Sequence, residues 1–142
     1  MSKMEKLLKI PYTVFNNDWD LLQQFLDKRG NPRYELVGNV FLANRKDISD
    51  LGNLVRVDGY LGLQLSSIQS LGNLEYVGGG LDLRKTQIKS LENLEYVGDY
   101  LNLYGTTIKS LKNLQYVGGT IFLSKDHQIP EEQLIKFKFN YW

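Results

Sequence analysis

The chain repeats itself every twenty residues. Residues 58–77 read DGYLGLQLSSIQSLGNLEYV, 78–97 read GGGLDLRKTQIKSLENLEYV and 98–117 read GDYLNLYGTTIKSLKNLQYV. A weaker copy precedes them at 38–57. Another starts in phase at 118–137 and then slips by one, with Ile129 where the period wants residue 128. A short fixed period predicts a solenoid, in which each unit touches only its neighbours. One unit buries too little apolar surface to offset the ordering of its own backbone, so stacking is obligatory.

Each recurrent residue type in the unit has a physical reason. Gly38-Asn39, Asp58-Gly59, Gly78-Gly79, Gly98-Asp99 and Gly118-Gly119 open the copies. These types tolerate positive φ, and they predict a tight turn. Strand alternation follows, with Leu61 and Leu63, Leu81 and Leu83, Leu101 and Leu103, Ile121 and Leu123 on one face. Ile48, Ile68, Ile88 and Ile108 recur next. Two residues on stand Asp50, Ser70, Ser90 and Ser110, all favoured as helix N-caps. With Leu-x-Asn-Leu behind them, they predict a short helical or 3₁₀ turn on the outer side of each coil. Its two leucines point inward, and Val57, Val77, Val97 and Val117 close the unit. Six aliphatic columns thus run down one interior.

The flanks do not repeat. Residues 1–37 are expected to form an N-terminal cap, residues 38–124 the coils and residues 125–142 a C-terminal cap, all in one domain. In the first segment Asn17 or Asp18 is the candidate N-cap of an amphipathic helix carrying Trp19, Leu22, Phe25 and Leu26 on one stripe. Gly30 and Pro32 stop it. The simplest role is a lid over the first coil; the alternative is a partner-binding helix. At the other end Pro130-Glu131-Glu132 suits a helix start, and Phe137 to Tyr141 alternates like a final strand.

Composition closes several functional classes. The 142 residues carry a formal net charge of +1, no cysteine and one histidine. Such balance offers no field to hold a polyanion, so nucleic acid is not an expected partner. Disulfides, thiolate metal sites and cysteine nucleophiles are excluded. The apolar pair Leu7-Leu8 is broken by Lys9, and neither a secretory segment nor a membrane span is read there. A cytoplasmic protein without metal or cofactor is expected. Catalysis has no constellation to rest on. His127 is a lone loop histidine beside Asp126, and no Gly-Lys-Ser/Thr follows the glycine pairs.

The run Leu-x-Leu-x-x-Thr-x-Ile, from Leu81 to Ile88 and again from Leu101 to Ile108, followed by Ser-Leu-x-Asn-Leu, resembles the leucine-rich repeat. In pattern it is similar to bacterial internalin-like repeats and receptor L domains, over residues 38–125. Ser66, Thr86 and Thr106 stand where many such repeats carry Asn. The Tyr-Val-Gly-Gly corner looks like that of short leucine-rich repeat proteins of bacteria and their phages. The resemblance implies a mainly-β α/β solenoid, right-handed, with a parallel strand sheet and a helical N-terminal cap. It is nearly silent on function.

In such a fold the residues between the buried leucines face outward: Val40, Leu42, Asn44; Tyr60, Gly62, Gln64; Gly80, Asp82, Arg84; Tyr100, Asn102, Tyr104; Thr120, Phe122, Ser124. They vary from copy to copy while the frame does not. Tyr60, Gln64, Asp82, Arg84, Tyr100, Asn102, Tyr104 and Phe122 are therefore the candidate partner-binding residues. At ~4.8 Å per strand the strip is roughly 20 Å long, a size for a protein partner. The bland alternative is that exposed sheets favour aromatics for cross-strand contacts. Arg56, Tyr76, Tyr96 and Tyr116 form a regular stripe that reads as a structural ladder, and Asn53, Asn73, Asn93 and Asn113 read as another. Lys89, Lys109 and Lys112, with Arg84 and Lys85, hint at phosphate contact, but Glu75, Glu92 and Glu95 lie close enough in register to neutralise them. The expected function is a non-catalytic protein-interaction module, for a phage protein an inhibitor of a host or defence protein. The alternative is a small-ligand protein, seating a nucleotide or sugar on the tyrosines or at the Asp126-His127 loop. Self-association is compatible with either.

Overall fold

A computed structural model describes residues 6–142; residues 1–5 of the expected N-terminal segment lie outside it. The chain is a mainly-β solenoid of about five turns, built from parallel strands and few helices. The strands are, in order, β1 (Leu8–Pro11), β2 (Tyr34–Val37), β3 (Val40–Phe41), β4 (Leu54–Val57), β5 (Leu61–Gly62), β6 (Tyr76–Val77), β7 (Leu81–Asp82), β8 (Tyr96–Val97), β9 (Leu101–Asn102), β10 (Tyr116–Val117), β11 (Thr120–Leu123) and β12 (Lys138–Tyr141). Helix α1 (Trp19–Asp27) lies between β1 and β2, and α2 (Glu131–Leu134) between β11 and β12.

Each coil contributes to two sheets where the sequence predicted one strand. The first runs β1-β2-β4-β6-β8-β10 and the second β12-β11-β9-β7-β5-β3. The tyrosine and closing valine of the three central copies, with Leu54–Val57 of the first, supply the first sheet, with Tyr76 opposite Tyr96 and Val77 opposite Val97. The Leu-x-Leu strands supply the second, with Leu61 opposite Leu81 and Leu81 opposite Leu101. The six columns are buried as the period predicts, from Leu61 and Ile68 to Leu94 and Val97. At the end of the array Ile129 and Leu134 are buried as well.

Two local expectations give way. The Ser-Leu-x-Asn-Leu segment is a single hydrogen-bonded turn, closed by Leu74 N to Leu71 O at 3.1 Å and Leu94 N to Leu91 O at 3.0 Å, with no helix. Asp50, Ser70, Ser90 and Ser110 cap no helix there. Each side-chain oxygen accepts the amide two residues on, at 2.8–3.1 Å. Of the corner residues only Gly38 takes a positive φ, and the glycines serve another purpose. A Cβ on Gly78, Gly98 or Gly118 would overlap the backbone carbonyl of the residue twenty positions earlier. They are the places where successive coils touch backbone to backbone.

Helix α1 starts where Asp18 accepts the Leu21 amide at 3.0 Å. It packs Trp19, Leu22 and Leu26 onto the core. Tyr34, fully buried, donates its hydroxyl to Leu51 O at 2.9 Å and accepts Gln23 Nε2 at 3.1 Å, tying the helix to the first repeat. At the far end β12 adds to the second sheet alone, so the two sheets are staggered along the solenoid.

Candidate binding surface on the second sheet

The outer face of the second sheet is paved with rings. Phe41 meets Tyr60 at 5.5 Å between centroids, Tyr60 meets Tyr100 at 6.5 Å, Tyr100 meets Phe122 at 6.2 Å and Phe122 meets Trp142 at 6.2 Å. Tyr104 packs edge-on against Trp142 at 5.6 Å. Local sequence explains how flat rings lie on a pleated sheet. Gly62 sits beneath Tyr60 and Gly80 beneath Tyr100, and a Cβ at either would collide with the ring. The absence of side chains at 62 and 80 lets tyrosines from the corners fold down over the strands.

One ion pair is set into this layer. Asp82, 2% exposed, takes both Arg84 Nε and Nη2, the latter at 2.7 Å, and also accepts the Arg84 amide at 3.1 Å. The carboxylate holds the guanidinium firmly protonated. Arg84 in turn lies 4.7 Å over the Trp142 ring. Asn102, the neighbour of Asp82 on the next strand, is equally buried and accepts the Tyr104 amide at 3.0 Å. Burial, together with a hydrogen bond to Tyr60, pushes the Tyr100 hydroxyl above the ordinary phenol range. Between these groups, Lys138 and the Gly118-Gly119 corner runs an open groove of about 640 Å³.

Of the residues singled out from sequence, Tyr60, Asp82, Arg84, Tyr100, Asn102, Tyr104 and Phe122 lie together here. Asp82 and Asn102 are covered and act as supports. Gln64 stands beside Gly62, its Oε1 buried without a hydrogen-bond partner. The first copy is out of phase. Val40 and Leu42 are fully buried and Phe41 is 60% exposed, the reverse of the expected facing. Val40 pairs with Leu61, an offset of 61 − 40 = 21, while Ile48 and Ile68 keep the period of twenty. The extra residue lies in the turn between Asn44 and Ile48. Apolar side chains at 40, 41 and 42 made both phases look alike. Trp142 and Lys138 were also missed, because nothing in the repeat places the chain end on this face.

The first sheet is faced differently. Tyr76 and Tyr96 stack at 4.5 Å and 6°, Tyr96 and Tyr116 at 4.8 Å and 14°. Arg56 caps the row 3.7 Å over Tyr76 and approaches Glu35 at 3.7 Å. This is the structural ladder read from the sequence. In the asparagine row, Nδ2 of Asn53, Asn93 and Asn113 each donates to a backbone carbonyl of the preceding coil, and Asn73 to the Asn53 side chain. Two of the three carboxylates expected to neutralise the lysines are used elsewhere. Glu75 pairs with Arg33 at 3.3 Å, and Glu92 binds the turn at Leu71.

Among the described residues, no three His, Asp or Glu side chains cluster to hold a metal, and no helix is long and apolar enough to cross a membrane. Comparison with protein-family models, curated proteins and solved structures finds no match for this chain.

Proposed function

We propose that this chain is a non-catalytic module of leucine-rich repeat type that binds a protein partner, in the cytoplasm, on the aromatic face of the second sheet. In this reading α1 is the lid of the first coil. The observation that carries it is the contrast between the two outer faces. One is a uniform tyrosine ladder, as packing alone would make it. The other mixes rings, an ion pair and a groove, and both ends of its strip, Phe41 and Trp142, are more than half exposed. Aromatics and arginine set in a covered frame are what binding hot spots are made of. Resemblance to small phage repeat proteins extends the proposal to inhibition of a host or defence protein.

The test is a pull-down from lysate of the source or its host with wild type and a Phe41→Glu/Trp142→Ala variant. Both residues are exposed, so the fold should survive, as circular dichroism would verify. Arg84→Glu is unsuitable, since it would set a second carboxylate against buried Asp82. A stoichiometric partner kept by wild type and lost by the variant supports the module. A partner kept by both refutes this face as the site.

A second reading, binding of a nucleotide or sugar, is favoured by a cavity of about 540 Å³ lined by Lys89, Thr106, Thr107, Lys109, Asp126 and His127. A ligand there would raise the melting temperature. A nucleotide and sugar panel that leaves it unmoved sinks this reading.

A further inference from the structure

The turns on the outer side of the coils share one design, and two of them lack a visiting side chain: at Leu51 the corresponding residue of the next coil is Gly72, which has none, and at Leu91 it is Lys112. In each, the Asp or Ser before the leucine accepts the amide two residues on. The leucine amide is then free to point outward beside the side-chain oxygen. Convergent backbone N–H groups of this kind make a concavity for an anionic oxygen.

Two neighbouring turns of this chain show what such a concavity takes. At Leu71, Glu92 Oε2 from the next coil accepts Ser70 Oγ at 2.8 Å, Leu71 N at 2.8 Å and Gly72 N at 3.2 Å. At Leu111, Gln133 Oε1 accepts Leu111 N at 2.7 Å and lies 3.4 Å from Ser110 Oγ. The turn between them, at Leu91, has the same backbone groups and no such visitor. The residue one period after Glu92 is Lys112, which has three donors and no acceptor. Among the described residues no side chain accepts the Leu91 amide. A small cavity of about 190 Å³ stands there instead, lined by Ser90, Leu91, Glu92, Ser110, Lys112 and Asn113.

We propose that the Leu91 turn binds an oxyanion, a carboxylate or phosphate group, on the Leu91 amide, with the Lys112 ammonium supplying the countercharge. The one carboxylate lining the cavity, Glu92, turns its oxygen to the preceding coil, where three donors hold it. Lys89 and Lys109, both exposed, lie in the same two coils and add positive potential. The site is separate from the aromatic face and does not rest on the reading of that face.

The experiment uses the whole chain, ¹⁵N-labelled, titrated with inorganic phosphate and separately with acetate at constant pH and ionic strength. Saturable shifts of the Leu91 and Glu92 amides are expected, with those of Leu71 and Leu111, already occupied, moving several-fold less. A response to phosphate alone assigns a phosphoryl group, and a response to acetate, alone or with phosphate, a carboxylate-sized oxyanion. Leu91 moving no more than Leu71 and Leu111 in either titration overturns the site. Lys112→Ala should weaken binding on the order of tenfold, and unchanged affinity overturns it too. Lys112→Glu supplies an internal carboxylate as Glu92 does, and should abolish the titration at Leu91.

Discussion

Glycine positions carry most of the information at the scale of single residues. Gly98 lies where its own coil meets the carbonyl of Gly78, and Gly62 lies under the movable ring of Tyr60. Both are covered, yet they differ in what would have to yield. A backbone carbonyl held in a stack cannot move without shifting a coil, whereas a ring can swing aside. Gly98→Ala is therefore expected to destabilise by about 1–3 kcal/mol or more, the range for overpacking a rigid site, and Gly62→Ala by clearly less. Urea denaturation of the two variants decides it; equal costs would show that the coil contact is as soft as the ring.

Among elements, the outer turn links one coil to the next through a side chain and not through the sheets. Glu92 staples its coil to the Leu71 turn with three hydrogen bonds, and Gln133 reaches the Leu111 turn with its carboxamide oxygen, which accepts the Leu111 amide at 2.7 Å. Glu92 sits at φ 51°, so Ala and Gln replacements bear the same backbone strain, and their difference isolates the acceptor. Glu92→Ala should lose about 1–3 kcal/mol, as expected for charge-assisted bonds at a half-buried site. Glu92→Gln should keep a good part of that. Thermal unfolding of both compares them, and coincident curves would mean that the carboxylate oxygen contributes nothing.

For the molecule as a whole, the buried tyrosines at the N-terminal end set an alkaline limit. Burial pushes the Tyr12 hydroxyl up to about 12 and raises Tyr34 as well. An unfolded chain releases these protons near pH 10, while the fold retains them. Stability is thus complete below about pH 10 and falls above it, by up to ~1.4 kcal/mol per pH unit for each such tyrosine. For Tyr12 the loss spans pH 10 to about 12. Urea midpoints from pH 8 to 11 should show the decline, and Tyr34→Phe should make it shallower, leaving the shares of Tyr12 and Tyr100. A midpoint that stays level through pH 11 in wild type would contradict the assignment.

The solenoid, its period, its six columns and the tyrosine ladder were legible in the residues, because the same contact recurs in every coil and leaves the same side chain each time. A column such as Ile48, Ile68, Ile88 and Ile108 states its own burial. What escaped that reading depends on the neighbour rather than on the unit. The first sheet is made by Tyr-Val pairs too short to show alternation, and they become strands only against partners twenty residues away. The phase of the first copy turned on one extra residue in a turn, masked by three consecutive apolar side chains. Phe41 and Trp142 joined the aromatic strip only when the stack brought the first coil and the C-terminal strand onto one face. Glu92 reads alone as a surface charge, and becomes a staple only once the Leu71 amides stand beside it. Local chemistry repeats along a chain and is visible there; what one coil presents to the next exists only after stacking has set them in register.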